Sequence, residues 1–447
     1  MIDAELASQV VRLALDRGAS DAECTLSEGE EFSAGVRMRS LETLKDAGSR
    51  GAGLRILLGQ HVGSSYTSDL SSEGIRKLVD SAIEIAAIST EDPYAGLPDP
   101  SELGFLPGDL ELYSDDVSRI DTSQRIDHAL QAEDAALSAD PRITNSEGAS
   151  FDAYSGERVF ANSRGFLGTY RVSSCSLSTT PVAREGESME RDYWYSNARS
   201  YAKLESPAAI GRKAAQRALR RLGSRKVPTQ KVPVVFDQLT ARSLISNIFE
   251  AIDGDSVYRK ASFLAEKLGE RVASENVTII DDSTIPGLFG TSPFDDEGVP
   301  TRRTVVIDRG VLTSYLLNTY TARKLGLRTT GNAARGLTGN ASVGHGNLFL
   351  EKGDRSPEEI IRAIGKGLYV TELIGSGVNT VTGDYSRGAA GQWIENGEFA
   401  YPVSEITIAS TLQQMLMDFA AIGSDLEFRG SVASPTVMIG EMTVSGQ

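Results

Sequence analysis

The apolar positions of the chain change period several times, and the changes divide it into elements. In Ala4–Asp16, Leu6, Val10, Leu13 and Ala14 recur at helical spacing, so one face of a helix is apolar. Strand-like runs follow at Ala22–Ser27, Glu31–Arg39, Gly53–Leu58 and Val62–Thr67. A second helix is expected at Glu73–Ala87, where Ile75, Leu78, Val79, Ala82, Ile83 and Ala86 share a face. Residues 91–118, rich in Pro, Asp and Gly, read as an irregular connection. Ser123–Ser138 is again helical in pattern. From Ile143 to Ala198 strands alternate with turns, Asn162-Ser163-Arg164-Gly165 being a hairpin turn. Ser206 as N-cap and Pro207 as first residue then open a helix that runs to about Leu222. Its arginines, Arg212, Arg217, Arg220 and Arg221, are expected on a solvated face rather than in a binding patch.

The stretch "GSRKVPTQKVPVVF" (223–236) reads as a linker entering a strand. It places a boundary near residue 226, between a 1–225 N-terminal α+β domain and a 226–447 C-terminal β-rich domain. In the second half a helix is expected at 239–252, with others at Pro357–Lys366 and around Leu412–Phe419. Most of the remainder is strand in pattern, including "GERVASENVTIIDD" (269–282). Asp308-Arg309-Gly310 and Glu395-Asn396-Gly397 are hairpin turns. The fold class is therefore α+β.

Composition narrows the function. The 447 residues carry a formal charge of −16, against direct binding of nucleic acid, which needs clustered Lys and Arg. Two distant cysteines, Cys24 and Cys175, make no disulfide framework and fit a reducing compartment. The acidic N-terminal stretch does not read as a signal peptide, and no apolar run is long enough to span a membrane. A cytoplasmic protein is expected.

Reactive chemistry is sparse. The three histidines, His61, His128 and His345, share no helical turn, and neither HExxH nor CxxC occurs. There is no G-x-S-x-G, no P-loop and no G-x-G-x-x-G after a strand. The acidic groups Asp253-Gly254-Asp255, Asp281-Asp282 and Asp295-Asp296-Glu297 read chiefly as turn chemistry. The most unusual segment is "GNAARGLTGNASVGHGNL" (331–348), followed by "IGSGVNTVTGDYSRGAAGQ" (374–392). Surface loops and ligand-approaching backbone are both open readings of these Gly-rich stretches.

Several second-half segments together carry a resemblance: "GERVASENVTIIDD" (269–282), "FDDEGVPTRRTVVIDRGVLTSYL" (294–316), "TGNAARG" (330–336), "GSGVNTVTGDYS" (375–386), "IENGEFAYPV" (394–403) and "IGSDLEF" (422–428). In order and spacing they resemble the TldD/PmbA family, described as modulators of DNA gyrase and as peptidases. In the TldD branch a helix bearing HExxxH precedes an acidic-Gly-Asp turn, and a Cys near the C-terminus completes a zinc site. Aligned on Asp253-Gly254-Asp255, this chain has Ile245, Ser246 and Glu250 where the two His and the Glu of that motif stand, Ser246 taking the place of the Glu. The run "SDLEFRGSVASPTVMIGEMTVSG" (424–446) holds no cysteine. The chain is thus similar to the PmbA (TldE) branch.

The resemblance implies a pseudoenzyme subunit, with no catalytic residue and no cofactor in this chain. Zinc is then expected in a TldD-like partner, in a heterodimer that cleaves unfolded or leader peptides, while the isolated chain has the option of pairing with itself. Two other readings stay open. One is a hydrolase acting through a different site, for instance His345 with acids from the Gly-rich loops; the other is a regulatory binding protein.

Overall fold

The computed structural model describes residues 3–446. The first half is built on one long antiparallel sheet. Its strands are β1 (Asp21–Arg37), β2 (Ser40–Leu58), β3 (His61–Thr67), β4 (Ile143–Asn162), β5 (Leu167–Glu185), β6 (Ser188–Arg191) and β7 (Trp194–Ala198). They lie in the order β3-β2-β1-β4-β5-β6, with β7 also paired to β5.

Four longer helices, α1 (Ala4–Asp16), α2 (Ser72–Ile88), α4 (Thr122–Leu137) and α5 (Pro207–Leu219), accompany this sheet, with a short α3 (Asp116–Arg119). Each long helix begins at a side-chain cap, Asp3, Ser71, Asp121 or Ser206, which accepts a bond from an otherwise unpaired backbone N–H. Residues 91–118 strap onto the second half: Gly104 N–H donates to Gly298 O at 3.0 Å, and Leu106 N–H to Pro293 O at 2.8 Å.

The sequence places two strands at Ala22–Ser27 and Glu31–Arg39 and starts the next at Gly53. The structure instead has one unbroken β1, a turn at Met38 and Arg39, and a β2 that begins at Ser40. Residues 40–50 are largely exposed, so they show no apolar alternation and their pairing with β1 leaves no signature in the pattern.

The second half holds two further sheets and a small hairpin. Strand β8 (Gln230–Phe236) leads into helix α6 (Gln238–Ile252), which a one-residue joint connects to α7 (Gly254–Tyr258). Then come β9 (Ile279–Asp282), β10 (Arg303–Asp308), β11 (Val311–Leu312), α8 (Thr319–Leu325), β12 (Ala333–Ala334), β13 (Ser342–Val343) and β14 (Leu348–Leu350). After α9 (Pro357–Arg362) come β15 (Lys366–Ile374), β16 (Asp384–Glu395), β17 (Glu398–Thr411), α10 (Leu412–Met417), β18 (Phe419–Ile422), β19 (Val432–Ala433) and β20 (Val437–Ser445).

Strands β17-β16-β15-β8-β20 follow one another, and β17 also pairs with β20, which closes a ring. The other sheet runs β11-β10-β9-β14-β19. Of the stretch 269–282, read from sequence as strand, only β9 is one; its start is turns held to Gly310 and Leu312. Both expected hairpin turns form, with Arg309, Gly310, Asn396 and Gly397 at positive φ, as a tight two-residue hairpin requires.

Helix α6 lies between the two sheets. Leu244, Ile245, Ile248, Ala251 and Ile252 join one apolar cluster with Val234 and Phe236 of β8, Leu368 and Val370 of β15, and Leu348 and Leu350 of β14. Burying such side chains contributes roughly 1.5–3 kcal/mol each, which fixes the helix between the layers.

The arginines of α5 depart from expectation. Arg212 is exposed, but Arg217 is 5% exposed, and Arg220 and Arg221 turn inward with it. Arg217 Nε donates to Asp192 at 3.1 Å, and Arg221 pairs with Glu190 and Glu372. The partners of Arg217 and Arg221 lie on or between β6 and β7 and on β15, remote in sequence, so composition alone could not foretell these pairings; Arg220 is buried beside them with Nε and Nη2 unpartnered.

Candidate functional site

The centre of α6, the C-terminal β19 and the loop before β14 converge. Strand β14 pairs with β19 (Leu348 opposite Val432), Leu348 N–H donates to Ser431 O at 2.8 Å, and α6 packs on both strands. The helix stretch and the C-terminal run singled out in the sequence are therefore neighbours in space.

The side chains there do other work. Ile245 is 0% exposed and sits inside the apolar cluster. Ser246 Oγ donates to Arg242 O, one turn earlier, at 3.2 Å. Glu250 points outward and is exposed. Val432, Ala433 and Ser434 stand in the C-terminal segment, and no thiol does. Zinc takes imidazole, thiolate or carboxylate ligands in a tetrahedral set, and these side chains do not fit it. Among the described residues no group of three or more His, Cys, Asp and Glu is placed to hold a metal ion.

The acidic turn after α6 has a structural explanation. Asp253 caps α7, its carboxylate accepting from Asp255 N–H at 3.0 Å, while Gly254 N–H donates to Leu316 O at 3.0 Å. A Cβ on Gly254 would lie 2.5 Å from Thr321 Oγ1, and that hydroxyl is already tied to Asn318. Glycine is required because α8 passes so close.

His345 packs edge-on against Phe249 of α6, ring centroids 4.8 Å apart. Its Nδ1 lies 2.8 Å from Gly346 O; a carbonyl only accepts, so Nδ1–H donates this bond. Close by is Asp281, 1% exposed, whose Oδ2 accepts from Asn332 Nδ2 at 2.8 Å, while the backbone N–H of Gly346 also bears on the carboxyl and Oδ1 is buried with no well-aligned hydrogen bond. Burial pushes its carboxyl up to about 6, against the opposing pull of Asn332 and His345. The neighbouring Asp282 instead accepts from Thr284 N–H and hydroxyl, a local turn.

The Gly-rich segment 331–348 is a latch between the two halves, and so is the acidic turn at 295–297. Arg335 pairs with buried Glu23 on β1, and Asn340 Oδ1 accepts from Arg55 Nε of β2 at 2.9 Å. A Cβ on Gly53 would fall 1.8 Å from Leu337 O, which shows how closely the loop lies on β2. Asp295 accepts from the N–H groups of Glu297, Val299 and Ala333 at 2.9, 3.0 and 3.0 Å, and Asp296 pairs with Arg158 of β4 at 2.8 Å. The contacts of Arg335 with Glu23 and of Asn340 with Arg55 join residues 312 and 285 positions apart, so the loop looked unassigned in sequence. The remaining histidines are apart from this region: His61 Nδ1 is 2.7 Å from Ser89 O, and His128 stacks on Tyr201.

Comparison with known proteins agrees with this architecture. Residues 22–86, 115–222 and 229–446 match, in turn, PmbA/TldA metallopeptidase domain 1, central domain and C-terminal domain. Metalloprotease PmbA of Escherichia coli O157:H7 is 40% identical over 97% of this chain and 94% of its own length. A PmbA homologue of Haemophilus influenzae is 38% identical over 98% and 95%. A crystal structure from Bacteroides thetaiotaomicron, described as a modulator of DNA gyrase, superposes with a TM-score of 0.92 at 30% identity, covering 99% of this chain and 98% of that one. TldE from Thermococcus kodakarensis shares the fold, with a TM-score of 0.89 at 20% identity over 99% and 100%. With its three successive domain matches and its full-length relatives, the chain belongs to the PmbA/TldD metallopeptidase family.

Proposed function

We propose that this chain is the non-catalytic subunit of a two-chain zinc metallopeptidase. It pairs with a TldD-like subunit that carries the zinc, and the pair cleaves unfolded or leader peptides. One observation carries the reading. The helix and the acidic-Gly-Asp turn on which the resemblance puts the family motif lie beside the C-terminal run, and there Ile245 is buried in the core while Glu250 faces water. A buried imidazole without a metal would need another partner, and isoleucine needs none. Losing imidazoles and thiolate together removes both the Lewis acid and the water it activates.

The setting is the cytoplasm in this reading. Cys24 and Cys175 are buried free thiols, and no helix among the described residues is long and apolar enough to cross a membrane. The gyrase-modulator description of a neighbour is not carried over as DNA binding, given the charge of −16.

The test is metal analysis plus a peptidase assay on an unfolded protein, with and without a TldD-like chain. We expect no stoichiometric zinc and no cleavage by this chain alone, and cleavage once the partner is added. One bound zinc per chain together with unaided cleavage would overturn the proposal. A second reading, a hydrolase using His345, is favoured by the buried carboxylate of Asp281 in the neighbourhood of that imidazole. It requires unaided activity that His345→Ala abolishes without unfolding the chain. Recovery from cells as a homodimer, with no TldD-like chain, would favour the regulatory reading instead.

A further inference from the structure

The first turns of α6 open on a cavity of about 360 Å³ between the halves of the molecule. Four arginines line it, Arg191, Arg221, Arg242 and Arg387, against two carboxylates, Asp192 and Glu372. Both carboxylates face arginines of their own: Asp192 Oδ1 accepts from Arg217 at 3.1 Å while its Oδ2 lies 3.9 Å from Arg221 without a hydrogen bond, and Glu372 pairs with Arg221. Arg191 is paired outside, with Glu147 at 2.6 Å.

Arg242 and Arg387 are left. Arg242 Nη1 donates to the neutral hydroxyl of Tyr195 at 2.8 Å, and Arg387 Nε is buried without a partner. Neither has an ion pair to a carboxylate among the described residues. In a chain of charge −16, two guanidinium groups that face one cavity and have no carboxylate partner of their own call for an external anion.

One further feature points the same way. Thr371, at the register shift of β15 between Val370 and Glu372, lines the cavity, is 5% exposed, and its Oγ1 has no partner. The lining also includes Leu239, Thr240 and Ser243 of α6, whose N-terminus is already capped by the Asp237 carboxylate and so adds nothing to the anion site.

We propose that this cavity binds the carboxylate of a peptide, held by Arg242 and Arg387 with Thr371 as an added hydroxyl donor. Guanidinium groups match a carboxylate through paired, charge-assisted hydrogen bonds. The volume admits a terminal residue or one acidic side chain and no folded domain. Arg242 and Ser246 lie on one face of α6, one turn or roughly 5.4 Å apart, so a bound carboxylate would start the peptide beside the convergence of α6, β19 and His345. The inference rests on the reading of the chain as a peptide-handling subunit.

The test is binding to the full-length chain alone, by fluorescence anisotropy, which is separate from the cleavage assay with a partner. The probes are a short dye-labelled peptide of Ala, Gly, Ser and Leu with a free C-terminal carboxylate, the same peptide as its C-terminal amide, and the amide carrying one internal Glu. The free acid is expected to bind about tenfold more tightly than the plain amide. Arg242→Gln and Arg387→Gln should each abolish that preference, with a melting temperature near that of the parent chain. Arg242→Lys, which keeps the charge, should retain part of the preference and covers the case of a Gln variant that fails to fold.

Binding of the Glu-bearing amide as tightly as the acid would support the site and assign its carboxylate to side chains; weak binding of that amide would assign it to the chain end. Equal binding of acid and plain amide, no binding of any probe, or a preference untouched in folded Gln variants would overturn the proposal. Cleavage of an amidated peptide by the complete pair would, in that event, leave the subunit reading standing.

Discussion

The first two turns of α6 and its last two differ in what surrounds them, although one regular helix carries both. Leu239, Thr240, Arg242 and Ser243 line a charged cavity at the seam between the halves, where Arg242 has only a tyrosine hydroxyl as partner. Leu244–Ile252 lie between two sheets and are nearly all buried, with Glu250 the outward exception. In the later turns the positions of a metal motif are occupied by packing; in the earlier turns charge is left uncompensated. A helix can lose its reaction chemistry and keep its geometry because packing and caps, rather than ligands, hold it in place.

The contrast is most sharply tested at Ile245. Ile245→Ala should destabilise the chain by about 2–5 kcal/mol, read from the urea midpoint at unchanged slope. A change below about 0.5 kcal/mol would mean that this position is not sealed as described. Next comes Gly254→Ala, which drives a Cβ against Thr321 and should cost about 1–3 kcal/mol in the same measurement.

The third prediction concerns pH. The carboxyl of Asp281 is pushed up to about 6 from 3.8, so the folded state holds its proton more tightly than the unfolded chain. By linkage, this group makes stability fall as pH rises from about 4 through about 6. Asp281→Asn should flatten the melting temperature over that window. Burial also raises Asp295 and Glu297, so a residual slope of the same sign remains. An unchanged slope in the Asn variant would remove Asp281 as its source. The smallest effect is expected at the exposed side of the helix, where Glu250→Ala should stay within about 0.5 kcal/mol.

Legibility from sequence followed how local the cause was. Helices with a cap and an apolar stripe were readable, as Ser206-Pro207 and α6 show, and so were hairpins with positive-φ turns such as Asn396-Gly397. The exposed half of β2 was not, because its pairing to β1 stabilises backbone and leaves no apolar mark on the side chains. The substitution of Ile245, Ser246 and Glu250 for motif residues was visible only through a family resemblance, since an isoleucine in a helix has no chemical signature of its own.

The sequence alone determined the α+β class, the placement of the long helices, the acidic balance, and the absence of a metal motif on the helix before Asp253-Gly254-Asp255. These depend on periodicity, turn chemistry and residue identity, which act within a few positions. The tertiary structure alone decided that segment 331–348 latches the halves through Arg335 and Glu23, and that Arg217, Arg220 and Arg221 fill a seam. It also decided that Arg242 and Arg387, more than a hundred positions apart, meet at one cavity. Whether a charge is solvated, paired or left open depends on what the fold brings within a few ångströms, and no local pattern encodes that distance.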